Sequence, residues 1–320
     1  MKIDFAAAAK IISEQNYILI LCHDHPDGDT LGSGFALCRA LTAMGKKARV
    51  ECADKIPQKY SYMYEGLKKE EFTPEFIMCV DVADKKLLGA MEEKYGDKIA
   101  LCIDHHGSNR LFAENTCLDF SAAANAENIY RVIKELGAEF TKEIADCIYT
   151  GLTTDTGCFR YANVTAQTHI IAAEMISLGA DAAEINRVMF ETKSRAYVAL
   201  ERMALDSMEM HCGEKIALVC LTQDMFKESG ADESDVDGIA SIPRQIEGVL
   251  AGATIRERKD GKFKVSLRTH APVNASEICA LLGGGGHSRA AGCEIDAPLE
   301  NAKKLLLDTM IKYFDENSLV

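Results

Sequence analysis

The run His23-Asp24-His25-Pro26-Asp27-Gly28-Asp29-Thr30 crowds ionisable side chains directly behind the apolar stretch Tyr17 to Cys22 (YILILC). That stretch reads as a buried strand, and Thr30 to Met44 carries apolar residues at helical spacing. The ionisable residues therefore stand at a strand's C-terminal end. In an open α/β sheet this edge is where loops and helix N-termini form a ligand crevice. Pro26 and Gly28 are expected to fix a sharp path. Asp27 and Asp29, two residues apart in extended backbone, should then diverge to opposite sides. Two diverging carboxylates suit two neighbouring cations. Taken alone, the loop also reads as an Asx-rich turn with Asp29 capping the helix, and the downstream sequence decides between the two.

Outward from this loop, strands and helices alternate. Lys46 to Cys52 reads as a second strand. Phe76 to Val82 (FIMCVDV) is apolar throughout up to Asp81, the pattern of a parallel strand buried on both faces. A helix is expected from about Asp84 to Tyr95, then a buried strand from Lys98 to Ile103 ending at Asp104-His105-His106. Thr116 to Phe120 reads as a further short strand. Helical spacing runs over Ala124 to Leu136, Thr141 to Thr154 (leading into Asp155), Thr165 to Leu178 and Asp181 to Met189. The alternation predicts an α/β fold with a doubly wound parallel sheet over residues 1–190.

Residues 191–211 favour helix and carry no strand signal; they are expected to link this domain to a smaller α/β domain over 212–320. The second domain should contain a strand from Lys215 to Leu221 and a hairpin of Val249 to Arg258 with Lys262 to Thr269. A short helix, the break Gly283 to Gly286, a strand at Gly292 to Ile295 and a helix from Leu299 to Phe314 follow.

The 320 residues, 48% hydrophobic, can bury a substantial core. No run approaches the roughly 20 apolar residues of a membrane span, and the N-terminus lacks the pattern of a secretion signal. Twelve cysteines occur without a C-x-x-C, several inside expected strands, which suits buried thiols in a reducing, cytoplasmic setting. A net charge of −13 argues against tight binding of long nucleic acid. From Ser241 to Ile295, however, eight Lys/Arg face five acids, a local excess of +3 that suits a small phosphorylated ligand.

His23, Asp27, Asp29, Asp81, His105 and Asp155 collect at strand ends. Four carboxylates and two imidazoles without a thiolate favour a divalent cation of intermediate hardness, Mn²⁺ first, with Mg²⁺ or another divalent ion as alternatives. Six ligands are too many for one catalytic ion with an open position, whereas two ions about 3.5 to 4 Å apart would use them. Asp81, on the expected central strand, is the natural bridge. The chemistry is then phosphoester or phosphoanhydride hydrolysis by activated water. Asp24, His25 and Asp84 read better as caps or satisfied polar groups. A second candidate site is Gly283-Gly284-Gly285-Gly286-His287-Ser288-Arg289. Its glycines, Gly284, Gly285 and Gly286 above all, can expose backbone N–H groups to an anion beside His287 and Arg289. Arg268, on the strand feeding this segment, offers a bidentate phosphate contact.

These motifs resemble the DHH phosphoesterase superfamily, whose naming triplet appears at Asp104-His105-His106. His23 to Ser33 resembles its first motif, the strand end at Asp81 its second, Asp104 to Asn109 its third and Thr150 to Tyr161 its fourth. Gly283 to Gly292 (GGGGHSRAAG) resembles the signature of the accompanying DHHA1 domain. The resemblance implies six metal ligands, His23, Asp27, Asp29, Asp81, His105 and Asp155, with Asp81 bridging. It also implies that His106 faces the scissile phosphate and that Asp104 sits behind the ligands, orienting the histidines. Arg268 and His287 would hold the far end of the substrate, in a cleft between the domains. The two-domain plan is similar to the nanoRNase group, which acts on short oligoribonucleotides and on 3′-phosphoadenosine 5′-phosphate (pAp). A homodimer is compatible with it. Alternatives are a pApA or cyclic di-AMP phosphodiesterase, a RecJ-like single-strand exonuclease and a non-catalytic nucleotide-binding regulator. One departure is Ala123-Ala124-Asn125-Ala126, where a hydroxyl-bearing residue is expected near the helix start.

Overall fold

Four-residue strands with every residue buried are possible only where both sheet faces are covered, and β2 of this chain shows how. In the computed structural model, which describes residues 1–68, 71–232 and 236–319, β2 (Ile18–Leu21) sends Ile18 and Ile20 into one apolar cluster. Leu19 and Leu21 enter another on the opposite face. The same division holds for β4 (Phe76–Val80), whose Met78 and Val80 join the first cluster while Ile77 and Cys79 join the second. Alternation is therefore present in direction but absent in polarity, which is why the sequence reads as a continuous apolar run.

The first unit spans Met1–Thr192. Its remaining strands are β1 (Lys2–Ile3), β3 (Ala48–Glu51), β5 (Leu101–Asp104) and β6 (Asn115–Leu118). All pairings are parallel, in the order β1-β6-β5-β4-β2-β3. One face carries α1 (Phe5–Ser13), α2 (Gly28–Ala43), α4 (Asn125–Glu135), α5 (Lys142–Asp155) and α6 (Ala166–Ser177). The other face is covered more thinly. Where one helix was expected from Asp84 to Tyr95, 3₁₀ turns run over Lys85–Met91 and only Glu92–Tyr95 (α3) is α-helical. Gly89, at φ +54° and ψ −132°, breaks the spiral and lets the segment approach Asp24, whose N–H donates to the Leu87 carbonyl at 2.7 Å. A short helix α7 (Ala182–Asn186) follows, ending in a π turn over Arg187–Glu191.

Helices α2 and α5 touch along a seam where glycines leave room for the facing helix. A Cβ on Gly28 would lie 2.4 Å from Thr154 Oγ1, and one on Gly32 would lie 2.4 Å from the Cys147 carbonyl oxygen. On the facing helix, a Cβ on Gly151 would lie 2.8 Å from Asp29 Oδ1. The pairing of Gly28 with Thr154 and Gly32 with Cys147 runs antiparallel, so the start of α2 meets the end of α5.

The second unit spans Lys193–Val320. It holds α8 (Arg195–Asp206), β7 (Glu209–His211), β8 (Ile216–Leu221), α9 (Gln223–Ser229), α10 (Val236–Ile239), β9 (Ala251–Glu257) and β10 (Phe263–Thr269). Then come α11 (Ala275–Ala280), β11 (Gly285–His287), β12 (Ala290–Ile295) and α12 (Leu299–Glu316). The sheet order is β11-β12-β10-β9-β8-β7, with β8 and β9 parallel and the other pairs antiparallel. Helix α12 buries Ala302, Leu306, Met310 and Phe314 on one face, and α8 sets Leu200 and Ala204 against Val219 and Leu221 on the other.

Two strands here correct the sequence reading. Glu209–His211 pairs with β8 although its segment shows no strand pattern; a turn with positive φ at Cys212, Gly213 and Glu214 folds it back. Gly285–His287 is no open loop but pairs with β12. Among the described residues no helix is long and apolar enough to cross a membrane, and all twelve cysteines are unpaired.

Candidate metal centre

Strands β2, β4 and β5 end at one edge of the parallel sheet and deliver His23, Asp81 and His105 there. His23 is fixed by Nδ1, 2.6 Å from the Asp24 carbonyl oxygen, which turns Nε2 towards Asp27 Oδ1 (3.6 Å) and Asp81 Oδ2 (3.7 Å). His105 is held in the same manner, Nδ1 lying 3.2 Å from the Ala122 carbonyl oxygen. Its Nε2 faces Asp81 Oδ1 at 3.4 Å and both Asp29 Oδ2 and Asp155 Oδ2 at 3.7 Å. The backbone thus commits one ring nitrogen of each histidine and leaves the other as a donor.

All six expected ligands come together, in overlapping groups whose donor atoms lie within 4.8 Å of one another. One group is His23, Asp27 and Asp81; another is Asp29, His105 and Asp155; a third joins Asp81 to His105 and His106. Asp81 and His105 each belong to two of these groups, and Asp81 is the carboxylate among them, one oxygen facing His23 and the other His105. Its backbone is left-handed, at φ +59°, its side chain is buried, and Oδ1 has no hydrogen-bond partner. An orphaned buried carboxylate oxygen among imidazoles fits a cation. Donors about 2.0–2.2 Å from a shared ion stand roughly 3 to 3.5 Å apart, near the spacings seen here and beyond a normal hydrogen bond.

The loop geometry differs from expectation in three respects. Asp27 is the N-cap of α2, accepting the N–H groups of Asp29 and Thr30 at 3.0 and 3.1 Å, whereas Asp29 lies in the first helical turn. The two carboxylates do diverge to different groups, but across a helix start and not along extended backbone. The sharp path comes from His25 (φ +47°), paired with Asp54, while Gly28 serves the contact with Thr154. Asp155 ends helix α5 and no strand, and reaches the edge because α5 lies against α2.

Charge crowding shows in the titration of the cluster. Burial opposes a charge on His23, yet Asp27, Asp81 and the Asp24 carbonyl raise its pKa to about 9. Burial likewise opposes His105, which Asp81, Asp29 and Asp155 raise to about 10. Burial lifts Asp155 to about 6, and burial with the charges of Asp81 and Asp155 holds Asp29 well above the usual carboxylate range. Such a surplus of buried negative charge favours bound cations.

Asp104 lies behind this layer, fully buried. It accepts from His106 Nδ1 at 2.8 Å and from the Asn109 amide at 2.6 Å, and these bonds keep its pKa low against burial. It orients His106 only; His105 is oriented by Ala122. Asn109 was legible only as the last residue of the third motif. Also unforeseen was Asn163, whose amide donates to the carbonyls of Ala123 (2.8 Å) and Asp155 (3.3 Å), tying together the loops behind both ligands. Ala124, the uncapped start of α4, explains the missing hydroxyl: Asp29 Oδ2 and Oδ1 accept the N–H groups of Asn125 and Ala126 at 2.6 and 2.9 Å.

In the second unit, His287 pairs with Ala290 and Ala290 with Arg268, a single row across β11, β12 and β10. Directly opposed residues share a sheet face, so His287 and Arg268 lie on one face with a small residue between them, roughly 9 to 10 Å apart by strand spacing. Arg289 is exposed and donates to the Val273 carbonyl at 2.5 Å. The N–H groups of Gly283 and Gly284 donate to the carbonyls of Ala280 and Cys279, and Gly285 and Gly286 lie in the β11 ladder. The cradle of free N–H groups expected from the glycine run is therefore reduced, and close backbone approach is its clearer role: a Cβ on Gly284 would lie 2.2 Å from the Gly292 carbonyl oxygen.

Comparison with known proteins agrees with both units. Residues 17–152 match the DHH family, N-terminal domain, and residues 214–316 match the DHHA1 domain. The bifunctional oligoribonuclease and PAP phosphatase NrnA of Thermus thermophilus is 34% identical over 92% of this chain and 89% of its own length. The protein of the same name from Bacillus subtilis is 25% identical over 93% and 95%. The crystal structure of an exopolyphosphatase-related protein from Bacteroides fragilis superposes with a TM-score of 0.88 at 27% identity, covering 97% of this chain and 96% of that one. The shared domains, their order and the near full-length similarity lead to one assignment: this chain belongs to the DHH family, with a DHHA1 domain following its DHH domain.

Proposed function

We propose that the protein is a hydrolase that cleaves short oligoribonucleotides to mononucleotides and removes the 3′-phosphate of pAp, acting in the cytoplasm with two divalent cations, Mn²⁺ first. The observation that carries this reading is Asp81, one carboxylate shared between two donor groups with an unpartnered oxygen. Its support from relatives is the activity named for the Thermus and Bacillus proteins.

His23, Asp27, Asp29, Asp81, His105 and Asp155 would hold the cations, Asp81 touching both. When bound, the ions supply Lewis-acid activation of water and neutralise charge on the phosphoryl group. The side chains do the rest. His106, whose pKa the hydrogen bond to Asp104 raises against burial, would face a phosphoryl oxygen with its ring and steady the charge that grows there. Asp104 takes no proton itself; it holds the ring and its tautomer, as Asn109 holds Asp104. The Asp24 and Ala122 carbonyls keep the donor nitrogens of His23 and His105 aimed inward. The substrate's far phosphate would be taken by Arg268 and His287, with Arg289 and the close backbone of Gly284, Gly285 and Gly286 beside them. In this reading residues 1–190 serve catalysis and 212–320 substrate binding, while the connecting 191–211 is no free linker, since α8 and β7 pack with the second unit.

Product chromatography with Mn²⁺ and pAp, pApA, a five-nucleotide RNA and a long single-stranded DNA tests the reading, with Asp81→Asn as control. Mononucleotides from the short substrates only, absent in the control, are expected. Turnover of the long DNA, or none of any substrate, would overturn it.

A further inference from the structure

After Asp155 the chain runs through three successive left-handed residues: Gly157 at φ +56°, Cys158 at +59° and Phe159 at +61°. A helix C-terminus ordinarily needs one such residue, supplied by glycine. Two further left-handed side-chain-bearing residues are unfavourable and persist only where the surroundings over-determine them. Here they do. The N–H of Cys158 donates to the Thr153 carbonyl at 2.7 Å, that of Phe159 to Thr156 Oγ1 at 3.0 Å, and those of Arg160 and Tyr161 to the Thr156 carbonyl at 3.0 and 3.1 Å. The Phe159 ring stacks on His169 at 5.2 Å.

The product of this strain is the placement of two side chains. Arg160 donates Nε–H to the Gly157 carbonyl at 2.6 Å, which aims its guanidinium, and the residue is exposed. Tyr161 lies flat on Gly157: a Cβ there would fall 2.3 Å from the ring carbon Cζ. Its residue is still 52% exposed. One ring face is thus braced by backbone two residues from Asp155, and Asn163 fastens the same segment to the Asp155 and Ala123 carbonyls.

We infer that Arg160 and Tyr161 are a nucleotide-recognition pair for the metal centre, the Tyr161 ring stacking on a nucleobase and the Arg160 guanidinium binding a phosphate. The inference rests on the phosphoesterase reading above and deepens it. A braced aromatic ring loses little freedom when a base stacks on it, and stacking accepts any base. A guanidinium with one N–H committed keeps its forked edge for phosphate oxygens. A lone exposed aromatic needs no explanation, but a ring and a cation presented together by an enforced turn at a ligand's own helix end do.

The test is calorimetric binding of adenosine 5′-monophosphate and ribose 5-phosphate to the Mn²⁺-loaded full chain, with turnover of pApA read separately. The wild type should bind the nucleotide roughly tenfold or more tighter than the sugar phosphate. Tyr161→Leu, which still covers Gly157 but has no aromatic face, should bring that ratio near one, and Tyr161→Phe should keep it. Arg160→Gln should weaken both probes alike. A ratio unchanged in Tyr161→Leu, or lost equally in Tyr161→Phe, would overturn the inference whatever the turnover. A wild type that discriminates the base but hydrolyses nothing would instead overturn the phosphoesterase reading and leave the pair standing.

Discussion

Asp29 and Ala126 are joined by a hydrogen bond of 2.9 Å, from the backbone N–H at the start of α4 to the carboxylate that also faces His105. One side chain therefore serves both as donor in the candidate metal centre and as cap of a helix that has no cap of its own. The two duties separate by substitution. Asp29→Asn keeps one acceptor oxygen for the two N–H groups and sets its NH2 against the other, so it should lose part of the cap in urea, while Asp29→Ala, which loses both bonds, should lose more, about 1 to 2 kcal/mol. Both variants should lose Mn²⁺ binding by calorimetry. Equal stability of the two would show that the cap contributes nothing.

Asp104 acts through His106. Asp104→Asn should lower kcat/KM by about 10- to 100-fold with little change in the amount of Mn²⁺ bound. The pKa of His106 is held up first by its hydrogen bond to Asp104. Weakening that bond should move the alkaline limb of the pH profile to lower pH. A profile that falls in height without moving would contradict the role given to His106.

The metal-free protein should lose stability as pH rises. His23 and His105 titrate near 9 and 10 in the folded chain against 6.5 when unperturbed, so between those values the folded state holds protons that the unfolded state has released. Stability from these groups is complete below about 6.5 and is lost as pH climbs through 9 and 10. Asp155, raised to about 6 from 3.8, pulls the same way at lower pH. Thermal melts in chelator from pH 6 to 10 should show a falling Tm. Added Mn²⁺ should reverse the slope, because binding needs neutral imidazoles.

Gly32→Ala should be among the costly single substitutions. The new methyl would meet the Cys147 carbonyl oxygen at 2.4 Å, and that oxygen belongs to a helix backbone that cannot step aside alone. A loss of roughly 1 to 3 kcal/mol by urea unfolding is expected. Gly107→Ala, with open space around the added atom, is the comparison and should cost little.

Much of this candidate centre was legible because its candidate ligands stand where apolar runs stop: His23, Asp81 and His105 each follow a strand whose burial on both faces leaves an unbroken hydrophobic signal. Asp155 was grouped with the strand ends although a helical pattern runs into it, and its place at the sheet edge depends on a glycine contact far away in sequence that no local pattern shows. The strand Gly285–His287 was hidden because a ladder specified by backbone alone leaves no side-chain pattern. Asn163 and the Ala122 carbonyl carried no signal either: one is an ordinary loop amide, the other a main-chain atom every residue possesses.

The seam between α2 and α5 gives the centre a wider genetic footprint than its donor atoms. Where Gly28 faces Thr154 and Gly32 faces Cys147, two ligand-bearing helix ends are locked at a separation set by missing atoms. A methyl added there would part Asp27 and Asp29 from Asp155 as surely as deleting a carboxylate, while every residue able to bind a cation stayed in place. Heritable loss of metal binding in such a protein can therefore arise at positions that offer an ion nothing at all.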